Sequence, residues 1–126
     1  MRILIDTHIL IWHLEDDRQL SSYHGTLIED PSNSVFISIA SFWEIAIKSS
    51  RGRLSLAKSI EDIFSEIDRS TSSILSIEPE HTLQVSKLPF HHKDPFDRMI
   101  IAQALSENIP VISSDKYFSD YGVKLL

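Results

Sequence analysis

Four acidic residues, far apart in the chain, could together hold a divalent cation. They are Asp6, Glu44, Asp97 and Asp115. Two carboxylates about 5 Å apart at an effective dielectric of about 20 repel by roughly 3 kcal/mol, so a cluster of four takes up protons or binds cations. Oxygen ligands alone suit hard ions, Mg²⁺ or Mn²⁺. Because Mg²⁺ readily accepts phosphate oxygens, such a site indicates hydrolysis of phosphodiester bonds by metal-activated water.

Each of these acids also has an explanation that involves no chemistry. Asp97 could complete a capping box with Asp94, and Glu44 could do so with Ser41, three residues earlier. The two acids that follow strands could be turn or cap residues. Asp94 is predicted to be the N-cap of a helix that begins at Pro95. The chemical interpretation therefore depends on whether all four acids converge.

The apolar pattern predicts the elements that must position the acids. Strands are predicted at residues 2–6, 35–37, 73–77 and 110–114, with an edge strand at 123–126 as an option. Helices are predicted at residues 9–14, 23–29, 38–48, 60–67 and 79–88, and from 95 onward. The last helix is apolar on nearly every side, so it should be buried.

Strands that alternate with helices predict a three-layer α/β/α fold with a mainly parallel sheet of four to five strands. In such folds, ligands bind at the carboxyl ends of the strands. Asp6 and Asp115 directly follow predicted strands, and the helices that carry Glu44 and Asp97 can reach the same edge. Residues 1–126 are expected to form one domain.

The composition is that of an ordinary globular protein, with 42% apolar and 24% charged residues. There is no cysteine, which excludes disulfide scaffolds, zinc–thiolate sites and thiol nucleophiles. Asp6 and His8 interrupt the apolar N-terminus, which makes a signal peptide an unattractive interpretation. No apolar run approaches the roughly 18 residues that span a bilayer. The expected location is the cytoplasm, with no membrane partner.

The net charge of −6 argues against a nucleic-acid partner on average but not locally. Between residues 44 and 61 lie four cations and no acid, namely Lys48, Arg51, Arg53 and Lys58. This stretch could contact phosphate or could be a solvated helix end and loop. Arg98 could likewise contact phosphate or form a structural ion pair.

Two other residue types suggest chemistry only weakly. The adjacent pair His91–His92 should point apart in a strand or loop, and no distant histidine pair has ligand spacing, so zinc is not predicted. Trp12 and Trp43 are interpreted as core or interface anchors rather than platforms for stacking bases.

Four segments of the sequence together resemble the PIN-domain nucleases, and among them the VapC-like toxins of bacterial toxin–antitoxin pairs. They are Ile-Leu-Ile-Asp-Thr-His at 3–8, Phe-Trp-Glu-Ile-Ala-Ile-Lys at 42–48, Leu-Pro-Phe-His-His-Lys-Asp-Pro-Phe-Asp-Arg-Met-Ile-Ile-Ala-Gln-Ala at 88–104 and Ile-Ser-Ser-Asp at 112–115. The resemblance covers essentially the whole chain, and its motifs are specific in combination rather than singly.

The resemblance implies a metal-dependent endoribonuclease whose acidic quartet is Asp6, Glu44, Asp97 and Asp115. It also implies a homodimer and a neutralising antitoxin that lays a peptide across the groove near the acids. Ser114 stands where many relatives have threonine and keeps the hydroxyl, which makes it a candidate substrate contact beside the basic residues above. His8 is given no metal role.

Three other functions compete with this one. A phosphatase that resembles the haloacid dehalogenase family needs a second aspartate two residues after the first, where this chain has His8. A phosphoacceptor receiver domain needs an aspartate after its third strand, where this chain has Glu78–Pro79. A degenerate PIN-fold module that binds RNA or protein without cleavage is the remaining alternative, and loss of quartet acids would be its sign.

Overall fold

The computed structural model describes residues 1–126, in which strands and helices alternate along the chain as predicted. The strands are β1 (Arg2–Ile5), β2 (Ser34–Ser38), β3 (Ser73–Leu75) and β4 (Val111–Ile112). The helices are α1 (Thr7–Leu14), α2 (Ser22–Glu29), α3 (Ile39–Ser50), α4 (Ile60–Arg69), α5 (Pro79–Lys87), α6 (Pro95–Glu107) and α7 (Tyr117–Asp120). None of these helices combines the length and the apolar character needed to span a bilayer.

The four strands form one sheet in the order β3-β2-β1-β4, and every pairing is parallel. Successive side chains of β1 point to opposite faces, because a strand has a period of two. Leu4 enters the core that contains most of α6, whereas Ile3 and Ile5 enter the core formed with α1, α3 and α4. The sheet therefore has helices on both faces, which confirms the predicted three-layer α/β/α fold with a parallel sheet of four strands.

Helix α6 is buried, as its apolar circumference predicts. Asp94 is its N-cap and accepts hydrogen bonds from the backbone N–H groups of Phe96 (2.9 Å) and Asp97 (3.0 Å). Pro95 occupies the first helical position, where the missing N–H costs nothing. The helix ends at Asn108, whose left-handed backbone (φ 54°) is tolerated by asparagine. These caps fix where α6 begins and ends, and so fix the point at which the side chain of Asp97 projects from its first turn.

Helix α3 begins three residues earlier than a Ser41 cap requires. Ser38, the last residue of β2, is the N-cap, and its Oγ accepts from the N–H of Ala40 at 3.0 Å. Ser41 lies inside the helix and shares a buried hydrogen bond of 2.9 Å with the hydroxyl of Thr7. The alternative explanation of Glu44 as the partner of Ser41 in a capping box is therefore wrong, because the strand passes directly into the helix at Ser38.

The two outer strands of the sheet, β3 and β4, are shorter than predicted. Strand β3 ends at Leu75 and β4 at Ile112. The expected edge strand at 123–126 reduces to one parallel bridge between Val111 and Leu125. Strand β3 loses its partner at Leu75, because β2 ends at Ser38, and the carbonyl of Ser76 accepts instead from the amide Nε2 of Gln103 at 3.2 Å.

The two tryptophans have different environments. Trp12 packs partly buried against the core on the α1 side of the sheet. Trp43 is 58% exposed and meets the ring of Phe96 edge to face, with centroids 5.2 Å apart. Trp43 is thus not a core residue. Of the two roles predicted from the sequence, core anchor and interface anchor, only the second remains for it.

Candidate metal centre

Asp6 lies where β1 passes into α1 and is almost fully buried. Its Oδ1 accepts from the N–H of Ile9 at 2.8 Å, which makes it the N-cap of α1. Its Oδ2 accepts from the hydroxyl of Ser113. Burial raises the pKa of Asp6 above its ordinary value, although these two hydrogen bonds oppose the rise. The role of N-cap thus accounts for Oδ1 of Asp6 only. Its Oδ2 faces the segment that follows β4.

Ser113 is a site residue that the sequence did not single out. It is 8% exposed, and its Oγ also accepts from the backbone N–H of Asp115 at 3.0 Å. The neighbouring Ser114, which the resemblance favoured, is exposed. Two identical serines in succession carry no signal for which one faces the acids, since only the direction of the chain after β4 decides it.

Glu44 enters the cluster from the second turn of α3. It is 2% exposed, and its Oε2 lies 2.5 Å from the Nζ of Lys48, one turn further along the helix. Its other oxygen, Oε1, is buried and has no hydrogen-bond partner. A buried carboxylate oxygen without a partner is costly, so Oε1 is suited to receive a cation.

Asp97 stands at the centre of the cluster. Burial is the first cause that raises the pKa of Asp97 to about 8, followed by the charges of Asp94, Asp6, Glu44 and Asp115. A carboxylate oxygen of Asp97 also lies within 4.8 Å of one of Asp115. Asp115 follows β4, and its Oδ1 accepts from the N–H of Tyr117 at 2.9 Å. The structure thus brings all four predicted acids to the carboxyl edge of the sheet.

The donor set fits a hard divalent cation. The quartet offers only carboxylate oxygens. One of these, Oε1 of Glu44, has no hydrogen-bond partner. Burial, to which the neighbouring acids add, raises the pKa values of Asp6 and Asp97, so ionised carboxylates at these two positions call for a nearby positive charge. Mg²⁺ or Mn²⁺ would supply this charge.

Lys48 is the cation nearest to the cluster. Partial burial works against its ammonium, but the hydrogen bond and charge of Glu44, with the charges of Asp94 and Asp97, outweigh burial and raise the pKa of Lys48. Its side chain is about one third exposed. Lys48 therefore faces the acids and balances part of their charge.

The rest of the basic stretch is less positive than its sequence indicates. Lys58 is tied to Glu66 at 2.7 Å and to the carbonyl of Leu14 at 3.2 Å. Arg51 and Arg53 are exposed and have no ion pair. With Lys48 and Lys58 both paired, these two arginines remain as the free cations of the stretch.

Arg98 does not reach the site, although it directly follows Asp97. It is 5% exposed, and its guanidinium donates to the carbonyl of Pro89 at 2.7 Å and to the hydroxyl of Tyr121 at 3.1 Å. Phe90 covers it at 4.2 Å. The suggestion that Arg98 contacts phosphate is thus corrected, because a helical residue one position from Asp97 points about 100° away from it.

Two histidines take part in acidic groups that the sequence did not predict. His92 lies beside Asp97 and Asp115. His81, fully buried, joins α5 to α6, because its Nδ1 accepts from the N–H of Glu78 and its Nε2 contacts Glu107, both at 2.9 Å. With Nδ1 as an acceptor, Nε2 carries the proton, so His81 is a structural link rather than a metal ligand.

A parallel α/β sheet with four carboxylates at its carboxyl edge has the oxygen ligands that a divalent cation requires. The PIN domain family matches residues 3–124 of the sequence. The chain belongs to the PIN domain family, as the resemblance indicated.

Solved structures share this fold at low sequence identity. VapBC2 from Rickettsia felis bound to a promoter DNA fragment has a TM-score of 0.74 and 18% identity, over 100% of this chain and 98% of that one. The sarcin–ricin loop cleaving toxin VapC20 from Mycobacterium tuberculosis has a TM-score of 0.67 and 14% identity, over 98% of both chains. A toxin–antitoxin complex from Klebsiella pneumoniae has a TM-score of 0.59 and 20% identity, over 90% and 86%. A search of curated protein sequences finds no significant match.

Proposed function

We propose that this protein is a Mg²⁺- or Mn²⁺-dependent endoribonuclease and the toxin of a toxin–antitoxin pair. The observation that carries the proposal is the position of Asp97, whose pKa is raised by burial and by the charges of the other quartet acids at one edge of the sheet. Such a cluster in a PIN domain protein supports phosphodiester hydrolysis.

The side chains of the quartet divide the work of binding the ion. Glu44 offers its free Oε1, and Asp97 and Asp115 offer carboxylate oxygens that lie close together. Asp6 is held by Ser113 and by the α1 backbone, so its carboxylate cannot rotate away. The bound ion would supply an activated water and stabilise charge that develops on phosphate. Lys48, already beside the acids, would limit the excess of negative charge that a phosphodiester meets.

RNA is the substrate class that we assign. The support is the fold shared with VapC20, which is described as cleaving the sarcin–ricin loop. On this chain, Arg51 and Arg53 are free cations at the end of α3, about 10 Å along the helix axis from Glu44, and we assign them contacts to phosphates at a distance from the cleaved bond. Ser114 is exposed next to the site and could donate a hydrogen bond to the same backbone.

A protein antitoxin and a homodimer complete the proposal, with action in the cytoplasm. The support for the antitoxin is the fold shared with the Klebsiella pneumoniae toxin–antitoxin complex. The support for the homodimer is the family resemblance together with Trp43, a large apolar side chain that is 58% exposed. Sedimentation of the wild type and of Trp43→Ser would test the dimer, which is expected to dissociate in the variant.

The test of the enzymatic proposal is cleavage of RNA by the purified protein with Mg²⁺ or Mn²⁺. Asp97→Asn and Glu44→Gln should each lose at least about 100-fold in rate, because several kcal/mol of transition-state stabilisation depends on the ion. Asp68→Asn, which removes an exposed acid of α4, is the matched control and should keep full activity. Undiminished cleavage by the two quartet variants would exclude the site.

The competing function is a degenerate PIN-fold module that binds RNA or protein without cleavage. The presence of all four acids argues against it. Folded wild-type protein that binds RNA but leaves it intact with either ion would favour this alternative.

A further inference from the structure

The imidazole of His92 packs against two tyrosines beside Asp97 of the candidate metal centre. Its ring stacks on Tyr117 with centroids 5.1 Å apart and an interplanar angle of 19°. Its Nδ1 lies 2.8 Å from the hydroxyl oxygen of Tyr121. Its Nε2 is buried without a hydrogen-bond partner and lies 3.7 Å from Oδ2 of Asp97. A carboxylate oxygen of Asp115 completes a group whose atoms lie within 4.8 Å of one another.

Tyr121 determines which nitrogen of His92 carries the proton. The tyrosine oxygen receives the guanidinium N–H of Arg98 and the backbone N–H of His92, each at 3.1 Å. Both groups can only donate, so they occupy the two lone pairs of the oxygen and the hydroxyl proton must itself be donated. Nδ1 of His92 at 2.8 Å is a nearer acceptor than the carbonyl of His92 at 3.4 Å. The neutral ring therefore carries its hydrogen on Nε2.

This tautomer prevents His92 from acting as a ligand of the ion. A metal binds the lone pair of an unprotonated nitrogen. While Nδ1 accepts from Tyr121, Nε2 carries the proton and has no free lone pair. Moving the proton to Nδ1 would direct a third N–H donor at the hydroxyl oxygen of Tyr121, whose two lone pairs are already occupied. The buried Nε2–H instead needs an oxygen acceptor, since a buried donor without one costs about 1–3 kcal/mol.

We propose that His92 is a positioning residue whose Nε2–H donates to Oδ2 of Asp97 and thereby leaves the other oxygen of Asp97 for the cation. The inference rests on the proposed ion-dependent function. The present separation of 3.7 Å exceeds an ordinary N–H···O distance by about 0.7 Å, so the proposal requires the carboxyl group of Asp97 to rotate toward Nε2 when the ion binds. Outer hydrogen bonds of this kind typically change metal affinity 10- to 100-fold.

The tautomer is tested first, on the metal-free protein at slightly alkaline pH. Long-range ¹H–¹⁵N spectra of the imidazoles report which nitrogen of His92 is protonated. We expect the proton on Nε2, both before and after saturation with Mg²⁺. A proton on Nδ1, or loss of the Nε2 proton when Mg²⁺ binds, would overturn the proposal. In folded Tyr121→Phe the preference for Nε2 should weaken, because the donor to Nδ1 is gone.

The positioning role is tested by calorimetric titration with Mn²⁺. His92→Gln keeps an N–H donor near the position of Nε2, whereas His92→Leu keeps none. We expect the glutamine variant to bind Mn²⁺ within about threefold of wild type and the leucine variant to bind 10- to 100-fold more weakly. Equal weakening in both variants would indicate a lost ligand, and unchanged affinity in both would indicate simple packing. Either result refutes the positioning role.

The two proposals fail in distinguishable ways. If wild-type protein binds neither Mn²⁺ nor Mg²⁺, the proposed function is wrong, whatever the spectra of His92 show. If wild type binds the ion normally and the glutamine and leucine variants do not differ, only the role of His92 is wrong.

Discussion

The hydroxyl of Ser113 donates to Asp6 and at the same time accepts from the backbone N–H of Asp115. One buried serine thus links the acid that follows β1 to the acid that follows β4. Since these strands are neighbours in the sheet, the hydrogen bonds fix the spacing of two members of the quartet.

Ser113→Ala should weaken the binding of Mn²⁺ by about 10- to 100-fold, because outer hydrogen bonds orient metal-binding carboxylates. Ser114→Ala, its exposed neighbour, should bind the ion as tightly as wild type. Calorimetric titration of the two variants measures the difference. Equal affinities would show that Ser113 does not orient the site.

Asp97→Asn should stabilise the metal-free protein at neutral pH. The pKa of Asp97 in the folded state is about 8, against an ordinary value of 3.8, so between these values the folded state holds a proton that the unfolded state has released. Stability therefore falls as pH rises through this range, by up to about 1.4 kcal/mol per pH unit, and levels off above it. The asparagine cannot ionise, which removes this part of the slope.

Urea unfolding between pH 5 and 8 in the presence of a chelator measures the slope for Asp97→Asn and for the control Asp68→Asn. The control should keep the wild-type slope. Added Mg²⁺ should stabilise the wild type and the control but have little effect on the asparagine variant. A wild-type slope in Asp97→Asn would contradict the account of its pKa.

Lys48→Met should tighten the binding of Mg²⁺ by up to about tenfold, because it removes a positive charge that competes for Glu44. The metal-free variant should be less stable than wild type, since Glu44 is then buried without its partner. Titration calorimetry and thermal unfolding measure the two effects. Lys58→Met, which breaks the exposed pair with Glu66, is the matched control. Weaker binding of the ion in Lys48→Met would refute this interpretation.

The double variant Arg51→Gln, Arg53→Gln should bind single-stranded RNA more weakly in a chelator. The slope of log K against log salt should fall by about 1.4, since each lost phosphate contact contributes about 0.7 for single strands. Lys58→Gln should leave the slope unchanged, because Lys58 is already paired. Fluorescence anisotropy over a range of salt concentrations measures the slopes, and an unchanged slope in the double variant would exclude this surface.

The fold was predictable because local and global signals agree along this chain. The short apolar runs of β1 and β4 are typical of strands covered on both faces, and the apolar circumference of α6 requires burial. The ends of elements were harder to predict. Ser38 and Ser41 are equally good caps by type, and only the register of β2 decides between them.

The acids of the quartet were predictable by type and by their place after strands or near helix starts. Their supporting contacts were not. Ser113 is indistinguishable from Ser114 in sequence, and His92 gains its role from Tyr121, 29 residues later. Arg98 differs from the acids, since its position next to Asp97 suggested either a phosphate contact or a structural ion pair. Helix geometry instead turns it into the protein, where it donates to the carbonyl of Pro89 and the hydroxyl of Tyr121.

The exposed position of Ser114, one residue from the buried serine that links two acids, offers a spectroscopic handle. Because the chain contains no cysteine, Ser114→Cys would be its only thiol and would accept a nitroxide without competing labels. The distance between bound paramagnetic Mn²⁺ and this nitroxide would then be measurable at the edge of the candidate metal centre. Occupancy by the ion could be followed through electron spin relaxation while an RNA strand or an inhibitory protein approaches.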